Sequence, residues 1–174
     1  MAFVVEDGTG LSTANAYSDV IFADEYFAER GNASWSLLTI AVKQSSLILA
    51  TDYIDKVFGC FFKGSMLTST QALAFPRDSF LTDEGLGIVP EVLKKATAEY
   101  AIRASSAQLA PDVEQDPSGY QVSRKFEKVG PIEERTDFAF LGSGASRKLL
   151  KPYPAADMLL RTLIASFQGR VIRN

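Results

Sequence analysis

Histidine is absent from this chain of 174 residues, and cysteine occurs only once, as Cys60. Without histidine, Ser-His-Asp catalysis, Cys-His catalysis and histidine metal ligands are all excluded. One cysteine can form neither an internal disulfide nor a zinc site of the cysteine/histidine kind. Carboxylates remain for acid–base catalysis, so a carboxylate-based hydrolase is kept as one hypothesis, which these absences disfavour. We therefore predict a protein that is not an enzyme and that carries no cofactor and no metal.

Long apolar runs and a surplus of basic residues are also missing. No apolar stretch approaches the roughly 20 residues that span a membrane, so we expect no membrane contact. The net charge is −3, whereas general nucleic-acid binders usually carry a basic surplus. Hydrophobic residues make up 47% of the chain and charged residues 22%, which is typical of a globular protein. The length predicts a single domain over residues 1–174.

The glycine-rich and acidic loops lack the spacing of known ligand-binding motifs. Neither GxGxxG nor GxxxxGK[ST] occurs in the chain, so LGSGASRK is not a phosphate-binding loop. TDEGLG and PDVEQDPSG place carboxylates near glycine, but without the alternation and the final glutamate of an EF-hand. We interpret all three segments as polar loops.

Charge is distributed unevenly along the chain. Residues 1–30 contain six acids and one base, whereas residues 144–174 contain six bases and one acid. These charges are either ordinary solvated surface or a source of attraction. In the second case the two regions attract each other within one chain, or head to tail between identical subunits.

Apolar residues at steps of three and four predict about four helices. Ser18 and Ser36 are candidate N-caps, and Pro90 and Pro154 suit helix starts. The predicted helices cover residues 18–30, 37–58, 90–108 and about 155–167. Leu37 and Ile40 are assigned to the apolar face of the second one, and Met158 to that of the last one.

Three further segments are predicted to be non-helical. We expect residues 1–17 to form an extended arm and residues 122–138 to form a β-hairpin or extended flap around Gly130-Pro131. Residues 168–174 are expected to form a basic tail. The predicted fold class is mainly α. It is a small helical bundle with an inserted flap and with extended N- and C-terminal arms.

The stretch QALAFPRDSF, residues 71–80, combines an apolar run with a proline and a charged pair. Pro76 is expected to stop a short helical turn over residues 71–74. Aromatic residues cluster in sequence around Lys63 and Arg77: Trp35, Phe61, Phe62, Phe75 and Phe80. Such a set is either a stacking platform for single-stranded DNA or core, and we favour core because aromatic rings bury so much apolar area.

Several of these stretches recur together, in this order, in one known protein family. They are VVEDGTGLSTANAYSDVIFADEYFAERG, Trp35, ATDYID, FKG, QALAFPR and KVGPIE. Over residues 3–135 the chain resembles tailed-phage proteins often labelled DnaT-like single-stranded-DNA-binding, whose fold is similar to that of phage head–tail connectors. Family members commonly show tryptophan where this chain has Phe62 and Phe75.

The resemblance implies a structural virion protein of the neck, assembled in the host cytoplasm. Such a protein forms a ring, typically a dodecamer, beneath the portal, extends the DNA channel without gripping double-stranded DNA, and docks downstream tail and neck proteins. It implies a portal-binding tail at Gly169, Arg170, Val171, Ile172, Arg173 and Asn174. It implies a subunit-interface flap with Arg124, Phe126, Lys128 and Ile132, and a fold-marker turn with Trp35, Phe75, Pro76 and Arg77. In that turn, Phe75 would fill the core and Arg77 would pair with a carboxylate or cap a helix end.

Two alternatives stay open from the residues. The tail 168–174 is either disordered or orders on a partner, with Val171 and Ile172 as anchors and its arginines against acidic groups. The alternative function is a single-stranded-DNA-binding replication protein, which the negative net charge disfavours.

Overall fold

The computed structural model of the protein describes residues 2–111, 122–128, 133–138 and 151–165. The chain divides into two compact units, residues 1–109 with 153–174 and residues 110–152. The described part of the first unit contains α1 Val20–Ala28, α2 Ala33–Ser36, α3 Ile40–Phe58, a 3-10 helix Gly59–Phe61, α4 Glu91–Ala104 and α5 Pro154–Leu160. The prediction of a mainly helical protein is confirmed, and the single domain over residues 1–174 stays a prediction.

The first helices begin at different caps from those that the sequence indicated. Asp19, and not Ser18, caps α1 by accepting a hydrogen bond from the Phe22 N–H at 2.7 Å. The predicted helix over 37–58 is in fact α3, which starts after Thr39 and is preceded by the separate short helix α2. Both outcomes follow from capping, because a side-chain oxygen must reach an amide that the first turn leaves unpaired.

The break between α2 and α3 also changes which residues are buried. Leu37 is 84% exposed and Ile40 is 67% exposed, although both were predicted on the apolar face. The buried side of α3 contains Leu47, Ala50 and Ile54 and packs against α4. Residues of α3, α4, α1 and α5 together build one hydrophobic core, which positions everything described below.

The last two helices are shorter than predicted. α4 starts after Pro90, as expected, but ends at Ala104. α5 starts at Pro154 and ends at Leu160, and Met158 is 59% exposed. The chain leaves the helical path there because the residues after α5 pair with residues 61–63 instead of continuing the helix.

The N-terminal segment is not an extended arm. Residues 4 and 16 are joined by a hydrogen bond from the Ala16 N–H to the Val4 carbonyl at 3.2 Å, and Val5 forms a bridge with Ala16. Ala14, Ala16 and Tyr17 are buried. The segment therefore closes on itself and packs into the core.

The described part of the second unit contains two strands, β1 Val122–Lys128 and β2 Glu133–Phe138. They pair antiparallel, with an irregularity between Val122 and Arg124. Residues 129–132 lie outside the described residues, so the hairpin flap as a whole stays a prediction.

Candidate functional site

The turn at residues 71–77 is an irregular loop buried against the core, and residues 71–74 form no helical turn. Phe75 is fully buried, and the Phe75–Pro76 peptide bond is cis. The Phe75 ring lies 4.9 Å from Phe62, 5.3 Å from Phe80 and 6.3 Å from Tyr17, measured between centroids. Phe75 thus occupies the centre of an aromatic cluster, where the sequence had placed it.

The Arg77 side chain extends from this turn and caps the C-terminal end of α3. Its guanidinium donates to the carbonyl oxygens of four residues, at 2.5 to 3.1 Å: Gly59, Phe62, Gly64 and Ala74. Carbonyls at a helix C-terminus have no partner within the helix, and a cation there also complements the helix dipole. Arg77 is only 8% exposed, and four of its five N–H donors are used in these structural hydrogen bonds.

A buried tyrosine–aspartate pair holds the same turn from the other side. The Tyr17 hydroxyl donates to the Asp55 carboxylate and accepts the Phe75 N–H at 3.2 Å. The other Asp55 oxygen accepts the Ala74 N–H at 2.9 Å. Burial raises the pKa of Asp55, partly opposed by these hydrogen bonds, and burial with the nearby carboxylate raises the pKa of Tyr17. α3, the N-terminal segment and the turn are thereby joined at one point.

Glu6 organises the N-terminal loop through its carboxylate. One oxygen accepts the N–H groups of Gly8 and Gly10, and the other accepts the N–H of Leu11, all at 2.9 Å. Glu6 is 1% exposed, and this charge is satisfied by backbone dipoles. Gly8 has φ of 103°, and a side chain there would meet the Gly87 carbonyl oxygen. The EDGTG stretch is therefore a structural loop.

A pocket of about 480 Å³ opens where α1, α2 and the start of α3 meet. Asp24, Phe27, Ala28, Trp35 and Lys43 are among its lining residues. Asp24 Oδ1 accepts the Trp35 Nε1–H at 2.6 Å and the Lys43 Nζ at 2.8 Å. The Lys43 side chain is 9% exposed and that of Asp24 is 45% exposed, so the carboxylate is the accessible charge of this pocket.

The aromatic residues that could stack on DNA bases are mostly core. Trp35 is 1% exposed, Phe62 is 4% exposed and Phe75 is fully buried, whereas Phe80 is half-buried and Phe61 is 40% exposed. A single-stranded-DNA platform needs accessible rings along a basic groove. The interpretation of this cluster as core holds for three of its five members.

The described residues include only some of the predicted flap residues and none of the predicted portal-binding tail residues. β1 places Arg124 opposite Asp137, Phe126 opposite Arg135 and Lys128 opposite Glu133. Ile132 and the tail Gly169, Arg170, Val171, Ile172, Arg173 and Asn174 lie outside the described residues. The chain leading to the tail is anchored, because the Ala165 N–H donates to the Phe61 carbonyl at 2.9 Å.

Four functional candidates were missed from the sequence: Tyr17, Asp24, Lys43 and Asp55. Tyr17 and Asp55 are 38 positions apart, and no local pattern links them. Asp24 and Lys43 lie on different helices, 19 positions apart, and no local pattern links them. Only the packing of α1 against α3 brings that pair together.

Within the described residues, no helix is both long and apolar enough to cross a membrane, and no group of three or more acidic or cysteine side chains could hold a metal ion. A family model described as "Putative DnaT-like ssDNA binding protein" matches residues 1–174. No curated protein and no solved structure matches the chain.

Proposed function

This chain belongs to the DnaT-like single-stranded-DNA-binding protein family, and from that premise we propose that it is a phage head–tail connector subunit. In this proposal copies of the chain form a ring beneath the portal, and their partners are the portal itself and downstream neck and tail proteins in the virion. Double-stranded DNA passes through the channel without specific binding. The ring number that the resemblance implies is twelve.

The observation that carries the proposal is the burial of the candidate stacking residues. Trp35, Phe62 and Phe75 are at most 4% exposed, so these rings cannot stack on bases without partial unfolding. Arg77, the basic residue beside them, is occupied by four backbone carbonyls. A structural role explains both facts, whereas the family description alone does not.

The exposed apolar residues favour contacts with proteins. Leu37 follows α2 and Ile40 is the first residue of α3, and their side chains are 84% and 67% exposed; Leu86 is 64% exposed. Exposed aliphatic side chains favour protein–protein contacts where they form a patch. The net charge of −3 also suits a channel that must let DNA slide.

Within this proposal, the segment 169–174 binds the portal and the flap 122–138 contacts the next subunit. Arg170, Val171, Ile172 and Arg173 supply charge and apolar anchors for the portal. Arg124, Phe126, Lys128 and Ile132 are the flap residues assigned to the subunit interface.

The test is a pull-down on purified cognate portal, with the full chain and a truncation after Gln168. A titration with single-stranded DNA is run in parallel at about 150 mM salt. We expect the full chain to bind the portal, the truncation to lose that binding, and DNA to bind weakly at most. Absent portal binding together with submicromolar DNA binding would establish the alternative, a replication protein that binds single-stranded DNA.

A further inference from the structure

The outward side of α1 carries an apolar residue next to an unpaired acid. One side of α1 packs on the core, and the exposed residues of the helix are Ile21, Glu25, Ala28 and Glu29. Residues at steps of three and four share one face of a helix. Ile21 is 71% exposed, and no described residue pairs with the Glu25 carboxylate, whereas Glu29 lies 3.4 Å from Arg30. This face therefore offers an apolar side chain and a free negative charge one turn apart.

The outward side of α5 has the same layout with the opposite charge. Met158 is 59% exposed. Arg161, one turn further along the chain, is exposed, and no described residue pairs with its guanidinium. Lys63 adds a second cation beside it, because the Lys63 Nζ donates to the Thr162 carbonyl at 2.8 Å. An apolar side chain again lies next to a free charge, which here is positive.

α1 and α5 lie on different sides of α4, so their outward faces do not meet within one chain. The Tyr26 hydroxyl of α1 donates to Glu99 of α4 at 3.0 Å, whereas the Tyr100 hydroxyl of α4 donates to Asp157 of α5. Glu99 and Tyr100 are consecutive, and consecutive side chains point about 100° apart around a helix axis. Both outward faces are therefore available to another molecule.

The charge distribution identifies a second copy of the chain as that molecule. Residues 1–30 contain six acids and one base, whereas residues 144–174 contain six bases and one acid. Opposite charges on two regions of one chain attract identical subunits head to tail. Complementary charges also fix the register of an interface. A copy of the chain thus supplies both complementary faces.

We infer that the outward face of α1 in one subunit packs against the outward face of α5 in a second copy of the chain. Glu25 pairs with Arg161, and Ile21 packs on Met158. The apolar residue precedes the charge in both helices. Both pairs can therefore form together only when the two helices run roughly parallel.

A contact between two different faces is heterologous. Every pair of subunits leaves one α1 face and one α5 face free, so the contact extends and closes a ring when the rotation between subunits permits. The inference rests on the proposed function for its ring, and it adds a subunit contact outside the flap and the tail. The two helices have nine and seven residues, so the contact is small, and its exposed charges make it sensitive to salt.

Charge reversal tests the contact by sedimentation velocity at about 50 mM salt. We expect the parent chain to associate, and we expect Glu25→Arg and Arg161→Glu each to weaken association roughly 5- to 10-fold, because an attraction becomes a repulsion. Glu84→Arg and Lys56→Glu are the matched controls at exposed positions outside the two faces and should associate like the parent chain. A parent chain that stays monomeric up to about 1 mM, or reversed chains that associate like it, would overturn the inference.

Mixing the two reversed chains distinguishes a broken contact from a damaged fold. In the mixture, the unchanged α5 face of the Glu25→Arg chain meets the unchanged α1 face of the Arg161→Glu chain. The two altered faces also match, because their charges have been exchanged. We expect the mixture, and the single chain with both substitutions, to regain the association of the parent chain. A mixture that associates as weakly as its separate components would refute the pairing.

Disulfide cross-linking tests whether the contact repeats. The exposed Cys60 is first replaced by serine, and Ile21→Cys and Met158→Cys are then introduced together or singly. On oxidation, the chain with both cysteines should give a ladder of dimers, trimers and larger species, whereas each single-cysteine chain should stay monomeric. A missing ladder would contradict the heterologous contact.

The failure of this contact and the failure of the proposed function give different results. If Glu25→Arg chains still form rings on the portal as the parent chain does, the connector function stands and the inference is wrong. If the mixed reversed chains associate but no portal complex forms with any chain, the subunit contact stands and the connector function is wrong.

Discussion

Replacing Arg77 with alanine tests the structural interpretation of the QALAFPR turn. The substitution removes hydrogen bonds to four carbonyl oxygens, of which those of Gly59 and Phe62 are in buried bonds. The bonds to Gly64 and Ala74 are only part-buried, and water can replace the guanidinium there. Each buried carbonyl left without a donor costs about 1–3 kcal/mol. We expect Arg77→Ala to lower the free energy of unfolding by about 3 kcal/mol.

A loss of that size is a large share of the 5–15 kcal/mol that stabilises a typical domain. Arg77→Lys should be intermediate, because an ammonium group has three donors and no planar fork. Arg161→Ala, at an exposed position after α5, is the matched control and should change the free energy of unfolding by less than about 0.5 kcal/mol. Urea unfolding followed by Trp35 fluorescence measures all three variants.

Two results would refute this reasoning. A loss below about 1 kcal/mol would mean that water or other donors replace Arg77 at the buried carbonyls. A stable Arg77→Ala monomer that fails to assemble on the portal would make Arg77 an interface residue, and its role in the turn secondary.

Three further substitutions test the buried polar contacts. Asp55→Asn should cost about 1–3 kcal/mol, since an amide cannot accept both the Tyr17 and Ala74 hydrogen bonds. Burial raises the pKa of Asp55 above 3.8, so the folded state holds the Asp55 proton more tightly than the unfolded state does. The urea unfolding midpoint should therefore fall as pH rises through that raised pKa. Asp55→Asn should make the midpoint less dependent on pH in this range. Glu6→Gln should lower the free energy of unfolding by about 2 kcal/mol, because its amide NH₂ would face a backbone N–H in the N-terminal loop. Thermal unfolding measures this loss, and a loss under about 0.5 kcal/mol would contradict the role of Glu6 in holding the loop. In urea unfolding, Gly8→Ala should lower the free energy of unfolding more than Gly85→Ala does. Both glycines have positive φ, but of the two only Gly8 lies close to another backbone segment. Equal losses for the two variants would contradict this.

Local signals in the sequence predicted the helical class and several helix starts. Pro90 and Pro154 precede or open α4 and α5, because a proline ring fits the first turn and lacks only a hydrogen that would be unpaired there. The burial of Phe75 and Trp35 was also predictable, since large aromatic rings gain most from leaving water. The charge asymmetry between residues 1–30 and 144–174 is likewise a property of the sequence alone.

Helix boundaries were less predictable, because caps compete over short distances. Ser36, Thr39 and Asp19 are all good capping residues, and only the packed chain decides which oxygen reaches an unpaired amide. The apolar pattern ran through Leu37 and Ile40, but the turn after α2 leaves both exposed.

Tertiary structure alone decided how the polar residues are used. The carboxylate of Asp55 meets Tyr17 across 38 positions, and Arg77 reaches Gly59 across 18. The Trp35 pocket exists only because α1 and α3 pack so that Asp24 meets Lys43. Local patterns report periodicity and capping, which act within one helical turn. A buried charge must find its partner wherever the fold brings one, and that partner is set by packing between distant elements.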